Sequence, residues 1–254
     1  MNFFLMEAIR ASLETGHPSN ESEGTIASAT QLISPVQQVV LTRRYKPEKD
    51  PTKCLKLFAG TAVHEYTSKM LGLATEGLKS LGFRVLSEER LKGTWAGETI
   101  GGGIDLQTRR GKAWTIYDFK TTSVFTVMKM SRLEEWTEQL NIYAALAEQA
   151  GREVEKLRIV TFLLDWSQAV LNRELKANPK SNYPTEDSVE IECKLWPKER
   201  RDAFIEGRVI ELRDALKLPD DKLPRCKDTW GGRRCDQYCD AAPHCHQYLS
   251  RKEF

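Results

Sequence analysis

The chain has no run of eighteen or more apolar residues, the length that a helix needs to cross a bilayer. Glu7, Arg10 and Glu14 interrupt the apolar start of the chain, which predicts an amphipathic helix rather than a signal peptide. Neither sign of charge is in large excess, because 38 Lys and Arg face 36 Asp and Glu. This balance neither requires nor excludes nucleic acid as a partner. We therefore expect a soluble, cytoplasmic protein without a membrane partner.

Cysteine is scarce along most of the chain and crowded at its end, where four of the six cysteines follow a C-x8-C-x3-C-x5-C spacing. These four are Cys226, Cys235, Cys239 and Cys245. In a cytosolic chain such crowding favours metal binding over disulfides. Four thiolates around one metal would staple a segment that has too few apolar residues to fold alone. His244 and His246 are available as substitute ligands, and the alternative is a set of unligated thiols.

Hydrophobic periodicity alternates between helical and strand patterns. Long helices are predicted at residues 60–83, 131–151 and 196–218. Shorter helices are predicted to begin near Ser28 or Thr30 and at Pro35. Strands are predicted at residues 84–91, 99–108, 113–122 and 156–166, and a polar loop or excursion at 167–187. This order predicts an α/β fold with a mixed central β-sheet flanked by helices. We divide the chain into an N-terminal helix and linker (1–24), a central domain (25–220) and a cysteine-rich metal-binding tail (221–254).

The segment TIYDFKTTS, residues 115–123, carries a carboxylate and an ammonium group two residues apart. Asp118 and Lys120 share one face of this strand, because side chains alternate along a strand. A hairpin turn centred on Arg110 and Gly111 pairs Asp105 with Ile116, which puts Asp105 on the same face as Asp118. Two converging carboxylates repel unless a cation joins them, and oxygen ligands suit Mg²⁺ or Mn²⁺. The alternative is a hairpin with a surface salt bridge beside a flexible glycine corner.

Four short motifs follow one another in the central domain. They are G-x-x-x-H ending at His64, G-x-x-D ending at Asp105, D-x-K ending at Lys120 and Q-x-x-x-Y from Gln139 to Tyr143. In this order they resemble the RecB-like branch of the PD-(D/E)XK nucleases, which includes CRISPR-adaptation exonucleases and stand-alone phage nucleases. The resemblance covers residues 28–166 and implies a restriction-endonuclease-like core.

The resemblance implies a role for each motif residue. The metal ligands would be His64, Asp105, Asp118 and the main-chain carbonyl of Phe119. Lys120 would be catalytic, beside the two acids, and Gln139 and Tyr143 would organise the site or contact DNA. The implied reaction is metal-dependent hydrolysis of phosphodiester bonds. Glu88 and Glu89 precede this hairpin and are expected to be surface charges, although either could add a carboxylate.

The same resemblance bears on the cysteines, because many RecB-like nucleases hold an iron–sulfur cluster with one early cysteine and three near the C-terminus. Ser34 stands in the segment where the early cysteine is expected here, and Cys54 is the only upstream candidate. The tail cysteines alone could bind Zn²⁺, or three of them with Cys54 could hold [4Fe–4S]. Cys193 follows the strand-like sequence VEIE and is expected to be a buried apolar residue.

These observations lead to a Mg²⁺- or Mn²⁺-dependent deoxyribonuclease, an exonuclease acting on single strands or duplex ends in recombination, repair or phage DNA processing. The expected partners are DNA and a helicase, recombinase or single-strand-binding protein, in a bacterial or phage-infected cell. A second hypothesis is a non-catalytic nucleic-acid-binding or assembly subunit that keeps the nuclease fold. A third is a metal-stapled interaction protein, for which DNA binding would be absent.

Overall fold

The computed structural model describes residues 3–15, 24–227 and 231–251. The chain forms two compact units, each built from segments that are distant in sequence. The first unit comprises residues 1–58, 92–102 and 199–254, and the second comprises residues 59–91 and 103–198. The predicted linker between the first helix and residue 24 lies outside the described residues. Within the described ranges, no helix combines the length and apolar character that crossing a bilayer demands.

The described residues contain ten α-helices and six strands. The helices are α1 Phe3–Thr15, α2 Ala29–Ile33, α3 Val36–Tyr45, α4 Leu55–Ser80, α5 Val124–Lys129, α6 Leu133–Gln149, α7 Gln168–Ala177, α8 Lys198–Ala215, α9 Arg233–Gln237 and α10 His246–Leu249. The strands are β1 Ala27–Ser28, β2 Arg84–Trp95, β3 Glu98–Arg109, β4 Trp114–Thr122, β5 Val154–Leu163 and β6 Ser188–Cys193.

The strands of the second unit form a mixed sheet in the order β2-β3-β4-β5-β6. Strand β4 is antiparallel to β3 and parallel to β5, and β6 is antiparallel to β5. Helix α6 packs on β4 and β5 and buries Trp136, Leu140 and Leu146. Asn141 lies in the same buried face, where its amide donates to the carbonyls of Thr137 and Lys194. The predicted α/β fold with a mixed, helix-flanked sheet is therefore confirmed.

In the first unit, β1 pairs in parallel with β3 at Ile100 and Gly101. Ser28 caps α2 by accepting the backbone N–H of Gln31, whose side chain accepts the Ser28 N–H in return. This capping box satisfies two backbone donors and resolves the open choice between Ser28 and Thr30. Helix α8 is joined to α2 through Arg208, which donates to the backbone carbonyls of Leu32 and Ser34.

Two predictions need correction. The polar segment 167–187 contains helix α7, whose single buried residue is Leu171, so its apolar signal is weak. The hairpin between β3 and β4 pairs Arg109 with Trp114, leaving a four-residue turn around Gly111 at φ +107°. The predicted register is therefore wrong by two residues. Because the shift is even, it preserves which side chains share a face.

Candidate active site

The end of the β3–β4 hairpin places two carboxylates side by side. Pairing of the two strands runs from Arg109 and Trp114 to Leu106 and Tyr117, and Asp105 and Asp118 are the next residues of each strand. Beyond the last of these pairs, Oδ2 of the Asp105 side chain accepts the backbone N–H of Phe119 at 2.7 Å. Asp105 is thereby fixed across the strands beside Asp118.

Asp118 is the most buried acid of this group, with 2% of its surface exposed. Its Oδ2 is paired with Nζ of Lys120 at 2.7 Å. Burial raises the pKa of Asp118 to about 6; the charge of Lys120 opposes this rise and that of Asp105 adds to it. A buried carboxylate is costly unless positive charge lies beside it.

Helix α4 carries His64 to the same place. Nε2 of His64 lies 3.0 Å from Oδ1 of Asp105. The hydrogen bond to Asp105 is the main cause that raises the pKa of His64, and the charges of Glu88 and Asp118 add to it while burial opposes it. One turn earlier, a Cβ at Gly60 would meet Thr121 of β4 at an ordinary 3.8 Å, so no close backbone approach requires glycine there.

Lys120 is held by a chain of hydrogen bonds that begins on helix α6. Its Nζ donates to Oε1 of Gln139 at 3.0 Å, and Nε2 of Gln139 donates to the hydroxyl of Tyr143 at 2.7 Å. Gln139 and Tyr143 lie one helical turn apart, so both reach the same face of the sheet. Both side chains are buried, which favours organisation of the site over direct contact with a polymer.

Glu88 is the residue whose position the sequence did not reveal. Its Oε1 lies 3.5 Å from Nδ1 of His64, and ligand atoms of His64, Glu88 and Asp105 all lie within 4.8 Å of one another. Glu88 is about half exposed, as expected of a surface charge, and it also lies where it could add a carboxylate, the alternative that the sequence left open. Glu89 instead pairs with Arg152 and accepts from the Gln107 amide at 2.7 Å.

The donor set fits a divalent cation. The carboxylates of Asp105 and Asp118 and the imidazole of His64 converge, and two acids at one place favour a cation beside them. Carboxylate oxygens suit Mg²⁺ and Mn²⁺, and an imidazole nitrogen is a common partner of the softer of these ions. His64 and Asp105 belong to the group of ligand atoms within 4.8 Å of one another, and the sequence prediction adds Asp118 to the residues that would hold the ion.

The tail cysteines lie near one another in the first unit. Burial raises the pKa of the Cys226 thiol to about 11, and the neighbouring thiols of Cys245, Cys239 and Cys235 add to the rise. Burial also raises the pKa of Cys54, but its charged neighbours are Lys49, Asp240 and Asp50 rather than thiols. The four tail cysteines therefore form one group, and Asp240, which follows Cys239, is also a neighbour of Cys54. Cys193 is buried in the second unit, as expected.

Side chains around this group fix it to α3. The amide of Gln247 accepts the N–H of Cys226 at 2.8 Å and donates to its carbonyl at 3.0 Å. The ring of His244 stacks on Tyr45 with 4.1 Å between centroids and 3° between planes. The stack engages the face of the His244 ring, whereas ligation would use its in-plane nitrogens, so its role as a substitute ligand stays a prediction.

A mixed α/β sheet that gathers an imidazole, two acids and a lysine at the end of a hairpin defines a metal-dependent hydrolase with a restriction-endonuclease-like core. The chain belongs to the PD-(D/E)XK nuclease superfamily, whose family model matches residues 9–246. Membership makes it a nuclease that hydrolyses phosphodiester bonds with a divalent metal. Among curated proteins, no sequence matches significantly.

Two solved structures are similar to this chain. SSO0001 is similar with a TM-score of 0.60 and 18% identity, over 96% of this chain and 95% of that one. LHK-Exo, solved in complex with dAMP, is similar with a TM-score of 0.43 and 12% identity, over 75% of this chain and 89% of that one. At 18% identity, the likeness to SSO0001 concerns the fold alone.

Proposed function

We propose that this protein is a Mg²⁺- or Mn²⁺-dependent deoxyribonuclease of the RecB-like branch, acting as an exonuclease on DNA ends. The observation that carries the proposal is the convergence of His64, Asp105, Asp118 and Lys120 at one end of the β3–β4 hairpin. The dAMP named with LHK-Exo, an exonuclease by its name, is a DNA building block, which agrees with DNA as the substrate class.

Each residue has a distinct task in this proposal. Asp105, Asp118, His64 and the carbonyl of Phe119 would hold the metal, which when bound supplies a water of lowered pKa and neutralises charge on the phosphate. Lys120 stabilises the negative charge that develops on the phosphate oxygens or orients the attacking water. Gln139 and Tyr143 keep the Lys120 ammonium aimed at that position, since its side chain is flexible without a partner.

The test is digestion of end-labelled linear DNA and of matched circular DNA with Mg²⁺ or Mn²⁺. We expect the linear substrate to be degraded and the circular one to survive. Asp118→Asn and Lys120→Ala should each lower cleavage ~100-fold or more, because each removes an electrostatic partner of the transition state. The exposed Lys176→Ala is the matched control and should cleave like wild type. Undiminished hydrolysis by either site variant would refute the assignment.

The same assay separates the alternative functions. Salt-sensitive DNA binding without hydrolysis under any metal would favour the non-catalytic binding subunit. Absence of DNA binding would favour the metal-stapled interaction protein. Cleavage of the circle at the same rate as the linear form would replace the exonuclease by an endonuclease.

We also propose that Cys226, Cys235, Cys239 and Cys245 hold a [4Fe–4S] cluster rather than Zn²⁺. The resemblance to RecB-like nucleases, many of which hold an iron–sulfur cluster with cysteines near the C-terminus, favours iron–sulfur. Burial and neighbouring thiols raise the pKa values of Cys226 and Cys239, which agrees with thiols that need a cation to ionise.

Anaerobic purification tests this cofactor assignment. We expect a brown protein with broad visible absorbance and iron in excess of zinc. Cys226→Ser should lose the colour, whereas Cys54→Ser, a matched upstream control, should keep it. A colourless wild-type protein with stoichiometric zinc would reverse the choice of metal, and loss of colour in Cys54→Ser would bring that residue into the ligand set.

A further inference from the structure

The imidazole of His64 lies between two carboxylates, one at each ring nitrogen. Nε2 faces Oδ1 of Asp105 at 3.0 Å, and Nδ1 faces Oε1 of Glu88 at 3.5 Å. Because Asp105 is itself one of the proposed ligands, Nε2 is the nitrogen on the metal side of the ring. Nδ1 points away from that side, toward Glu88.

A hydrogen bond from α4 and the backbone of β2 fix the position of Glu88. Ser68 follows His64 by one turn on α4, and its hydroxyl donates to the same Oε1 of Glu88 that faces the imidazole. The backbone of Glu88 has φ +52° inside strand β2, a left-handed conformation that costs free energy in any residue except glycine. Strained backbone of this kind persists where the side chain it presents has a task.

We propose that Glu88 is a positioning residue that acts through His64. By accepting the Nδ1–H, it keeps the lone pair of the neutral imidazole on Nε2 and aims that nitrogen at the cation beside Asp105. Carboxylates that accept from the second nitrogen of a metal-bound histidine orient the ring and raise its basicity. The inference rests on the proposed function, because it assumes a divalent cation on the Asp105 side.

Geometry favours this role over direct ligation by Glu88. Its Oε1 already accepts from Ser68 and lies 3.5 Å from Nδ1, whereas Oδ1 of Asp105 lies 3.0 Å from Nε2. Direct ligation is the competing role, because ligand atoms of His64, Glu88 and Asp105 all lie within 4.8 Å of one another. The two roles differ in what remains when His64 is removed.

Calorimetric titration of metal-free protein with Mn²⁺ tests the first part. Glu88→Ala should weaken binding about tenfold or more, the usual effect of removing such a carboxylate. Glu88→Gln should recover most of the affinity, because its amide oxygen still accepts the Nδ1–H. Glu65→Ala removes an exposed charge next to His64 in sequence and should leave the affinity unchanged. Unaltered binding by Glu88→Ala, with its fold verified by thermal unfolding, overturns the inference.

A double-mutant cycle tests whether Glu88 acts through His64. In a His64→Ala background, Glu88→Ala should cause no further loss of Mn²⁺ affinity. A further loss of affinity as large as that caused by Glu88→Ala in the wild-type background would make Glu88 a direct ligand and overturn the positioning role. Nitrogen-15 shifts of His64 in the Mg²⁺-loaded protein give an independent reading, and the chain has only four histidines to assign. We expect the Nδ1–H tautomer in wild type and its loss in Glu88→Ala.

These outcomes are separate from those of the nuclease assay. A wild-type protein that binds no Mn²⁺ overturns both the metal site and the role of Glu88. If the effects of Glu88→Ala and His64→Ala on Mn²⁺ affinity are coupled but the protein cleaves no DNA, the role of Glu88 is supported and the nuclease assignment is refuted.

Discussion

At the scale of single residues, the side chains proposed as metal ligands also bind protons. The pKa of Asp118 is raised to about 6, chiefly by burial, and that of His64 is raised by its hydrogen bond to Asp105. Both groups must be deprotonated to bind a cation, so protons and metal compete for the same atoms. The acid side of neutrality is therefore where the site should lose its metal.

We predict that Mn²⁺ affinity is highest above the titration of both groups and falls as pH drops through about 6. Each displaced proton should weaken binding about tenfold per pH unit. Calorimetry over a pH series measures the slope. Asp118→Asn removes one of the two groups that bind a competing proton. Its Mn²⁺ affinity should therefore change less steeply with pH than that of wild type. A flat wild-type profile would show that neither group is a ligand.

The hydrogen-bond chain behind Lys120 yields a second prediction at this scale. Tyr143→Phe removes the hydroxyl that accepts from Gln139 and leaves a buried amide donor unsatisfied, at a cost of about 1–3 kcal/mol in unfolding free energy. Cleavage should also fall, because the Gln139 side chain loses the hydrogen bond that orients its Oε1 toward Lys120. Denaturant unfolding and DNA cleavage measure the two effects. Tyr66→Phe, at an exposed position of α4, is the matched control; equal losses in both variants would contradict the role of this hydrogen-bond chain.

Glu88 shows where sequence reasoning reaches its limit at this scale. The spacing of D-x-K fixes Asp118 and Lys120 on one face of a strand, since side-chain alternation is a local property. No local rule predicts that Glu88 adopts a left-handed φ and faces His64, because that contact depends on how β2 packs beside α4. The helix signal identified α4, yet only tertiary packing brings Glu88 within reach.

At the scale of elements, the hairpin explains why the prediction of a shared face survived a wrong register. Hairpin turns differ in length, and the turn after Arg109 has four residues instead of two. An even error moves Asp105 along β4 without turning it over, and it makes Asp105 and Asp118 closer neighbours than predicted. An odd error would have separated them, and the sequence alone does not exclude one.

Helix α4 provides an element-scale prediction, because none of its described residues is fully buried. Gly77 lies in this helix with open space around it, so Gly77→Ala should stabilise the protein by about 1 kcal/mol through helix propensity. Gly82 ends the helix at φ +83°, where Phe83 N–H bonds the carbonyl of Leu78 and Gly82 N–H that of Lys79. This closing motif requires a left-handed residue.

The matched change at the end of the helix should therefore have the opposite sign. Gly82→Ala should destabilise the protein by about 1 kcal/mol or more, since the alanine would be held in a left-handed conformation. Thermal or denaturant unfolding of both variants measures the difference. If Gly77→Ala and Gly82→Ala shift stability in the same direction, the end of α4 is not where the structure puts it.

At the scale of the whole molecule, the two compact units divide the chemistry between them. The second unit holds His64, Asp118 and Lys120, and the first holds the four tail cysteines. The three-part division of the sequence at residues 24 and 220 stays a prediction. The first unit draws on three separate segments, and contacts such as that of Arg44 with the carbonyls of Leu216 and Leu218 join the start of the chain to its end.

This division predicts how the protein responds when the cysteine cluster loses its metal. The tail has few apolar residues, and α3 is tied to it by the stack of Tyr45 on His244. Without metal, the buried thiols lose their common partner, so this region should open locally before the rest unfolds. Hydrogen exchange should accelerate at residues 36–45 and 231–251, while α6 and β5 of the second unit keep their protection.

Mass spectrometry of chelated and untreated protein measures this pattern peptide by peptide. Cys226→Ser should reproduce the chelated pattern, because it removes one ligand without a chelator, and Cys54→Ser should resemble untreated protein. Equal acceleration in α6 and β5 would mean that the metal stabilises the whole chain as one cooperative unit. No acceleration in the tail would mean that the thiols bind no metal, and the fold of the first unit would then depend on its polar contacts alone.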